Sequence, residues 1–481
     1  MEPTKPQYDF LLFSFLFFIC LSNAMAQNED ETPLPYLGNL EVRSSRQIIA
    51  SNWSIGGETL DRDLTVFDHW KEYLSPLGAK KMRLQAGWAK CEKQKGVYDF
   101  EWLDEIIDYL VSNDIEPWLQ TSYGNPIYES GGGIHLNAGF PRSKEALDAW
   151  DKWVYALANR YRGKVNIWEV WNEPEKNSVE DYAGLYVRTA EIIRKEIPSA
   201  TLYALSMAEI KKTDYLESFL AILTRENKLR LVDDITVHGY TYRPEDTYPH
   251  YQKLYEVIAR YSDRIRLNQG ELGCPSTNIP YYALKNYDWT EVSQSKWLLR
   301  KLLGDLGHDI PSLYFTIADI IYTHDGVRPL DENTRNSKGL LEANFKREIV
   351  RKKQAYHAYQ HVTAIFDHTF ERIPNYSYKT DIDSSLAVFG YRKKYFDQQL
   401  VAIWFDAYVP DSSIKKVPAN FQFNNGIFEN PVYLDVRTGK VYNIPSDQWE
   451  KNGTHYIFKD IPVYDSPILI VDKGLIKLKN N

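Results

Sequence analysis

The sequence predicts an α/β protein, a (β/α)8 barrel followed by a C-terminal β-sandwich. Two patterns carry this reading. Between about residues 47 and 367 a short apolar run, a polar loop and a longer amphipathic stretch recur eight times, and from residue 368 the spacing contracts to strands separated only by turns. Length agrees, since 481 residues exceed what one hydrophobic core usually holds.

The elements follow in chain order. Residues 1–26 read as a secretion signal: the apolar run 10–21 follows Lys5, and Ala24-Met25-Ala26 has the small-x-small form of a signal-peptidase site. A run this short does not span a bilayer, so the expectation is a secreted or periplasmic protein beginning near Gln27, without integral membrane association. An uncleaved anchor is the alternative. Residues 27–46 form an N-terminal segment in which 40–43 adds a strand to the sandwich. Barrel strands are expected at 48–52, 81–85, 116–120, 165–171, 202–207, 235–240, 265–269 and 313–317. The third helix shows the logic. Ser143 caps a stretch in which Leu147, Trp150, Val154, Leu157 and Tyr161 recur at helical spacing, and Gly163 stops it. The next strand is apolar at all but two positions, as a strand covered by helices on its outer face should be. A last helix is placed at 347–366, and sandwich strands at 385–391, 399–405, 431–435, 454–458 and 467–471.

Composition narrows the function. A net charge of -8 with no basic stripe excludes a nucleic-acid partner. Cys91 and Cys274 match no disulfide or zinc spacing and read as buried thiols. Neither HExxH nor a nucleotide-binding motif occurs, so no metal and no cofactor is expected.

Polar residues at the C-terminal strand ends take priority in a barrel, because that face carries the active site. Asn172-Glu173 closes the fourth strand and Pro174 ends the ladder there. Gln269-Gly270-Glu271-Leu272-Gly273 closes the seventh, with glycines that permit close approach of a ligand. Strands four and seven face each other. Two carboxyl groups about 5–5.5 Å apart let one attack an anomeric carbon while the other protonates the leaving oxygen, a retaining double displacement. Glu169 lies deeper on the fourth strand and reads as a structural carboxylate.

Several segments resemble glycoside hydrolase clan A, and within it family 39, the β-xylosidase and α-iduronidase group. They are Trp168-Glu169-Val170-Trp171-Asn172-Glu173-Pro174, Trp88-Ala89-Lys90-Cys91-Glu92 with Gly96-Val97-Tyr98-Asp99-Phe100, His238-Gly239-Tyr240, and Gly270-Glu271-Leu272-Gly273. The resemblance implies Glu173 as general acid/base, its pKa raised so that it starts protonated, and Glu271 as an ionised nucleophile. It implies that Arg83 holds Glu271 charged, Asn172 donates to the sugar 2-hydroxyl, Tyr240 bonds the nucleophile, and His238 lies near the acid/base or sugar. A structural ion pair for Arg83 and a core histidine for His238 are the alternatives.

Many clan members carry a tryptophan platform at the end of strand eight, where this sequence has Thr316-Ile317-Ala318-Asp319. Trp88, Tyr123, Tyr128, Tyr314 and Tyr322 are the candidates to replace it. The loop holding Tyr123 and Asn125 is long and glycine-rich enough to shape subsites. Arg142, Arg243 and Lys338 are loop cations for an acidic sugar. The expected activity is a retaining, exo-acting hydrolysis of terminal sugars from an oligosaccharide or polysaccharide. Inverting, transglycosylating and endo-acting enzymes, and a binding protein that has lost catalysis, are the competing readings.

Overall fold

The structure is a computed structural model describing residues 32–136, 139–322, 334–396, 398–424 and 426–480. The expected signal segment lies outside these residues. Eight parallel strands close a barrel: β1 (Trp53–Gly56), β2 (Lys81–Gln85), β3 (Glu116–Thr121), β4 (Ile167–Val170), β5 (Thr201–Met207), β6 (Asp234–Val237), β7 (Arg266–Leu272) and β8 (Ser312–Tyr314). Closure comes from β1 pairing with β8, Trp53 opposite Ser312 and Ile55 opposite Tyr314. The helix after β3 runs Lys144–Arg160, with the Ser143 hydroxyl accepting from the Ala146 N–H as its cap.

Three expected elements move. The first strand is not 48–52, because Ile49 is 81% exposed at the barrel's foot, and the buried residues that pair begin at Trp53. The last helix starts at Gln354 rather than 347. Residues Leu341–Ala343 and Ile349–Lys352 form an antiparallel hairpin ahead of it, and Arg347 sits in its turn at a φ of 64° that no helix admits. In the N-terminal segment, the strand that joins the sandwich sheet is Tyr36–Asn39, just ahead of 40–43, paired antiparallel with Lys440–Asn443.

Two sheets follow the barrel. The larger has seven strands in the order Tyr36–Asn39, Lys440–Asn443, Pro431–Asp435, Ile468–Asp472, Gln399–Phe405, Leu386–Lys393 and Phe370–Arg372. The smaller pairs Tyr378–Thr380, Val417–Phe423, His455–Val463 and Trp449–Asn452. Alternation along the strands decides what each face covers. Val401, Ile403, Tyr433, Ile468 and Ile470 pack toward the smaller sheet, whereas Leu400, Ala402, Trp404, Leu469 and Val471 join the barrel's core. The central strands of the larger sheet are therefore buried on both faces.

The helix Glu291–Gly307 is caught between barrel and sheet, and every residue from Ser293 to Gly307 is buried. Its charges are answered inside. Arg300 bonds both oxygens of Glu245 at 3.0 and 2.6 Å, Lys301 reaches Asp305 at 2.6 Å, and Trp404 from the sheet donates to Glu245 at 2.9 Å. Trp404→Ala is expected to cost about 3–5 kcal/mol through the cavity it leaves, read as a lowered unfolding midpoint in urea.

Candidate active site

Arg83, third residue of β2, points into the barrel and is fully buried. All five of its N–H groups are used. Nε donates to Glu169 Oε2 at 2.7 Å; Nη1 donates to Glu58 Oε1 and Glu271 Oε2, and Nη2 to Asn172 Oδ1 and Ser206 Oγ, each at 2.8 Å. Glu169 also accepts from Gln120 at 2.7 Å and Thr236 at 2.5 Å, so it is the buried structural carboxylate that its depth predicts.

Glu271 lies within β7, which runs on to Leu272, and its side chain is 12% exposed. Arg83 holds one oxygen and the Tyr240 hydroxyl donates to the other at 2.9 Å. The glycines around it serve the fold rather than a ligand: a Cβ on Gly273 would stand 2.0 Å from the Phe315 carbonyl oxygen of the neighbouring strand's continuation.

Beyond β4 the chain turns sharply. Trp171 and Glu173 have φ of 67° and 49°, conformations that cost a non-glycine residue about 1–3 kcal/mol and are concentrated at functional sites. Hydrogen bonds from the Trp171 N–H to Thr121 O and from the Glu173 N–H to Ser206 O, both 3.0 Å, hold them. The Glu173 carboxylate is thereby aimed at the mouth. His238, just past β6 and fully buried, faces it with Nδ1 3.2 Å from Glu173 Oε1 and Nε2 2.8 Å from Ser206 Oγ. One oxygen from each of Glu173 and Glu271 and one His238 nitrogen all lie within 4.8 Å of one another.

The electrostatics correct one expectation. Burial pushes the Glu173 carboxyl up, but the hydrogen bond and charge of His238, joined by Lys176 at 2.8 Å, outweigh it and hold the group at about 2. Burial pulls the His238 imidazole down, yet the negative charges of Glu271 and Glu173 reverse the balance and raise it. The resting pair is therefore Glu173 carboxylate and His238 imidazolium, not a protonated Glu173.

Other expected residues are placed unequally. Asn172 Nδ2 donates to Tyr123 OH at 3.1 Å, and its second hydrogen remains for a ligand; Tyr123 itself is buried beneath the Arg62 guanidinium, 5.1 Å from the ring centre. Trp88 and Asn125 do not reach the cleft. Trp88 is fully buried among Tyr128, Trp150 and Trp153 and donates to Glu92 at 2.6 Å, while Asn125 donates to the Glu92 carbonyl at 2.8 Å and caps its own loop. Tyr128 and Tyr314 are buried as well. Of the five platform candidates only Tyr322 is half-buried, its ring 4.8 Å from Tyr282. Among the three loop cations, Arg142 pairs with Asp181 and Arg243 with Asp246. Lys338 is buried 5.8 Å from the Tyr240 ring centre, and burial draws its ammonium down to about 7 against the charges of Cys274 and Glu271.

Glu58 is the residue that the sequence reading missed. Buried just beyond β1, it shares Arg83 Nη1 with Glu271, and its second oxygen has no hydrogen-bond partner. Only a glycine at 56 leaves room, since a Cβ there would lie 2.3 Å from that oxygen. Burial, reinforced by the Glu271 charge and opposed by Arg83, raises its carboxyl from 4.5 to about 7. Between those values the folded chain keeps a proton that the unfolded chain loses, so this group's contribution to stability falls as pH rises through that window and is flat above it. Glu58→Gln should remove this dependence. Thermal melts of both proteins at pH 5 and 8 should show wild type losing ground to the variant at the higher pH; equal differences at both would refute the assignment.

Known proteins share this fold. Residues 82–268 match the family described as Glycosyl hydrolases family 39, a stretch that includes Arg83, Asn172, Glu173, His238 and Tyr240 and stops just short of Glu271. A Beta-galactosidase bgaB of Geobacillus kaustophilus is 31% identical over 106 residues, which make up 18% of this chain and only 16% of that protein. A family 39 glycoside hydrolase from the gut symbiont Bacteroides cellulosilyticus WH2 superposes with a TM-score of 0.60 at 15% identity, over 90% of this chain and 82% of that one. A monomeric beta-xylosidase from Caulobacter crescentus CB15 gives 0.58 at 16%, over 91% and 97%. In the sequence of its barrel and in the fold of nearly its whole length, the chain resembles glycoside hydrolase clan A, and within it family 39.

Proposed function

We propose that the protein is a retaining glycoside hydrolase that removes terminal sugars from an oligosaccharide or polysaccharide. The observation that carries this is the pair of carboxylates at the ends of β4 and β7, with oxygens within 4.8 Å across the mouth, near the about 5–5.5 Å of retaining enzymes and short of the about 6.5–9.5 Å that an inverting water requires. Glu271, held by Arg83 and Tyr240, attacks the anomeric carbon. Glu173 delivers a proton to the leaving oxygen, and the product is a glycosyl ester on Glu271. In the second step Glu173 takes a proton from water, whose oxygen attacks the same carbon and frees the sugar. The proton for the first step is the one shared with His238: moving it from Nδ1 to Glu173 Oε1 leaves a neutral imidazole that still carries its Nε2 proton and donates it to Ser206 Oγ. Asn172 is placed to bond the sugar's 2-hydroxyl.

Exo action and the choice of xylose or galactose as first sugars to try rest on the beta-xylosidase and beta-galactosidase likenesses. Secretion or periplasmic delivery rests on the segment ahead of Gln27. No described helix is long and apolar enough to cross a membrane.

A screen of aryl glycosides of both anomers tests the reading. Glu173→Ala should lower turnover by about 10²–10⁴-fold, and Glu271→Ala should abolish it. Azide should then yield a glycosyl azide of retained configuration from the first variant and of inverted configuration from the second. Wild-type turnover in both variants would sink the assignment. The alkaline limb of kcat/KM follows loss of the proton that Glu173 and His238 share, and the Lys176 charge beside Glu173 favours that loss, so Lys176→Ala should shift the limb to higher pH.

A further inference from the structure

If Glu173 protonates the leaving oxygen, the leaving group departs on the outer side of that carboxylate. A cavity of 690 Å³ opens there between the segments after β5, β6 and β7, with Glu173 in its wall and Glu209, Tyr242, Asp246, His250 and Ala283 around it. Tyr242 is 40% exposed, yet it is not loose. Its hydroxyl donates to the Lys285 carbonyl at 2.6 Å, its ring lies parallel to Trp289 with 7° between the planes, and Tyr287 packs against it at 6.2 Å. A flat apolar plate fixed before any ligand arrives suits the C–H face of a pyranose, because neither ring nor sugar gives up much freedom on stacking.

The polar groups around the plate fit the same kind of ligand. Asp246 gives Oδ1 to Arg243 and keeps Oδ2 open, and the Glu209 side chain is exposed, so both offer acceptors to hydroxyl groups. Burial, with Lys211 and Lys253 nearby, lowers the His250 imidazole and keeps it neutral, able to donate and accept at once. Three carboxylates, those of Glu173, Glu209 and Asp246, against the single lining cation Lys211 disfavour an anionic group in this cleft. We propose that the cleft is a leaving-group subsite for a neutral saccharide, with Tyr242 as its stacking platform, so that the enzyme is built for glycosides whose leaving group is itself a sugar.

This inference rests on the glycosidase reading, and the test separates the two. The quantity to measure is kcat/KM on a disaccharide divided by kcat/KM on the glycosyl fluoride, both carrying the sugar turned over in the aryl-glycoside screen. Fluoride leaves without filling the cleft, so the ratio isolates the leaving-group side. Tyr242→Ala should lower the ratio about tenfold, whereas Tyr242→Phe, which keeps the plate, should hold it within about threefold. Ala283→Trp fills the cleft from another residue of its lining and should lower the ratio as well, which keeps the test decisive should Tyr242→Ala fold poorly. A ratio within about twofold of wild type for both Tyr242→Ala and Ala283→Trp would overturn the subsite. No turnover of either substrate by the wild-type protein would overturn the glycosidase reading instead.

Discussion

One guanidinium, that of Arg83, is surrounded by three carboxylates at the centre of the barrel. Taking an ion out of water costs several kcal/mol unless its partners return that energy, and here every N–H of the arginine finds an oxygen. The three acids share unequally in the return. Glu169 is held by Gln120 and Thr236 besides Arg83, Glu271 by Tyr240 besides Arg83, but Glu58 has only half of Nη1 and one oxygen without a partner. Two negative charges in excess of one positive cannot all persist in a buried site, so a proton goes to the acid with the fewest donors. Glu58, raised to about 7, is the acid that takes it.

The opposite wall of the cleft reverses this pattern. There Glu173 meets two cations, the buried His238 and the partly exposed Lys176, and it is the carboxylate that stays charged while the proton rests on the imidazole. Both walls are tied to the same ring of contacts. Ser206 accepts from Arg83 and bonds His238, so the proton inventory of the acid/base side is fixed to the guanidinium that sets the nucleophile side. The left-handed turns at Trp171 and Glu173 aim one carboxylate across at the other, and the rigid strands beneath keep them there.

The sandwich contributes to the same rigidity from a distance. Its larger sheet covers the helix Glu291–Gly307, and Glu245, in the segment after β6, receives both Arg300 from that helix and Trp404 from the sheet. The helical segment bearing Asp246 and His250 is thus pinned from behind. The outer cleft is shaped by a domain that lines none of the active centre.

Much of this was legible in the sequence. Strand periodicity, apolar runs and caps located seven of the eight barrel strands within a few residues, because those patterns are local consequences of backbone geometry and burial. The Asn172-Glu173 and Glu271 positions followed from where strands four and seven end. The errors have a common cause. Trp88 and Asn125 have the residue types of a sugar site, and only packing shows that both are spent on Glu92, stapling two loops together. Ile48 and Ile49 have strand propensity, but the chain enters the barrel five residues later. Glu58 carries no local signal, since nothing in its neighbours predicts that it folds back over Gly56 to meet Arg83. Sequence alone determined the barrel, the sandwich and the candidate acids, because each depends on short-range pattern. Which acid holds a proton, and which aromatic ring faces the cleft, was decided only by tertiary structure, because burial and charge act between residues far apart in the chain.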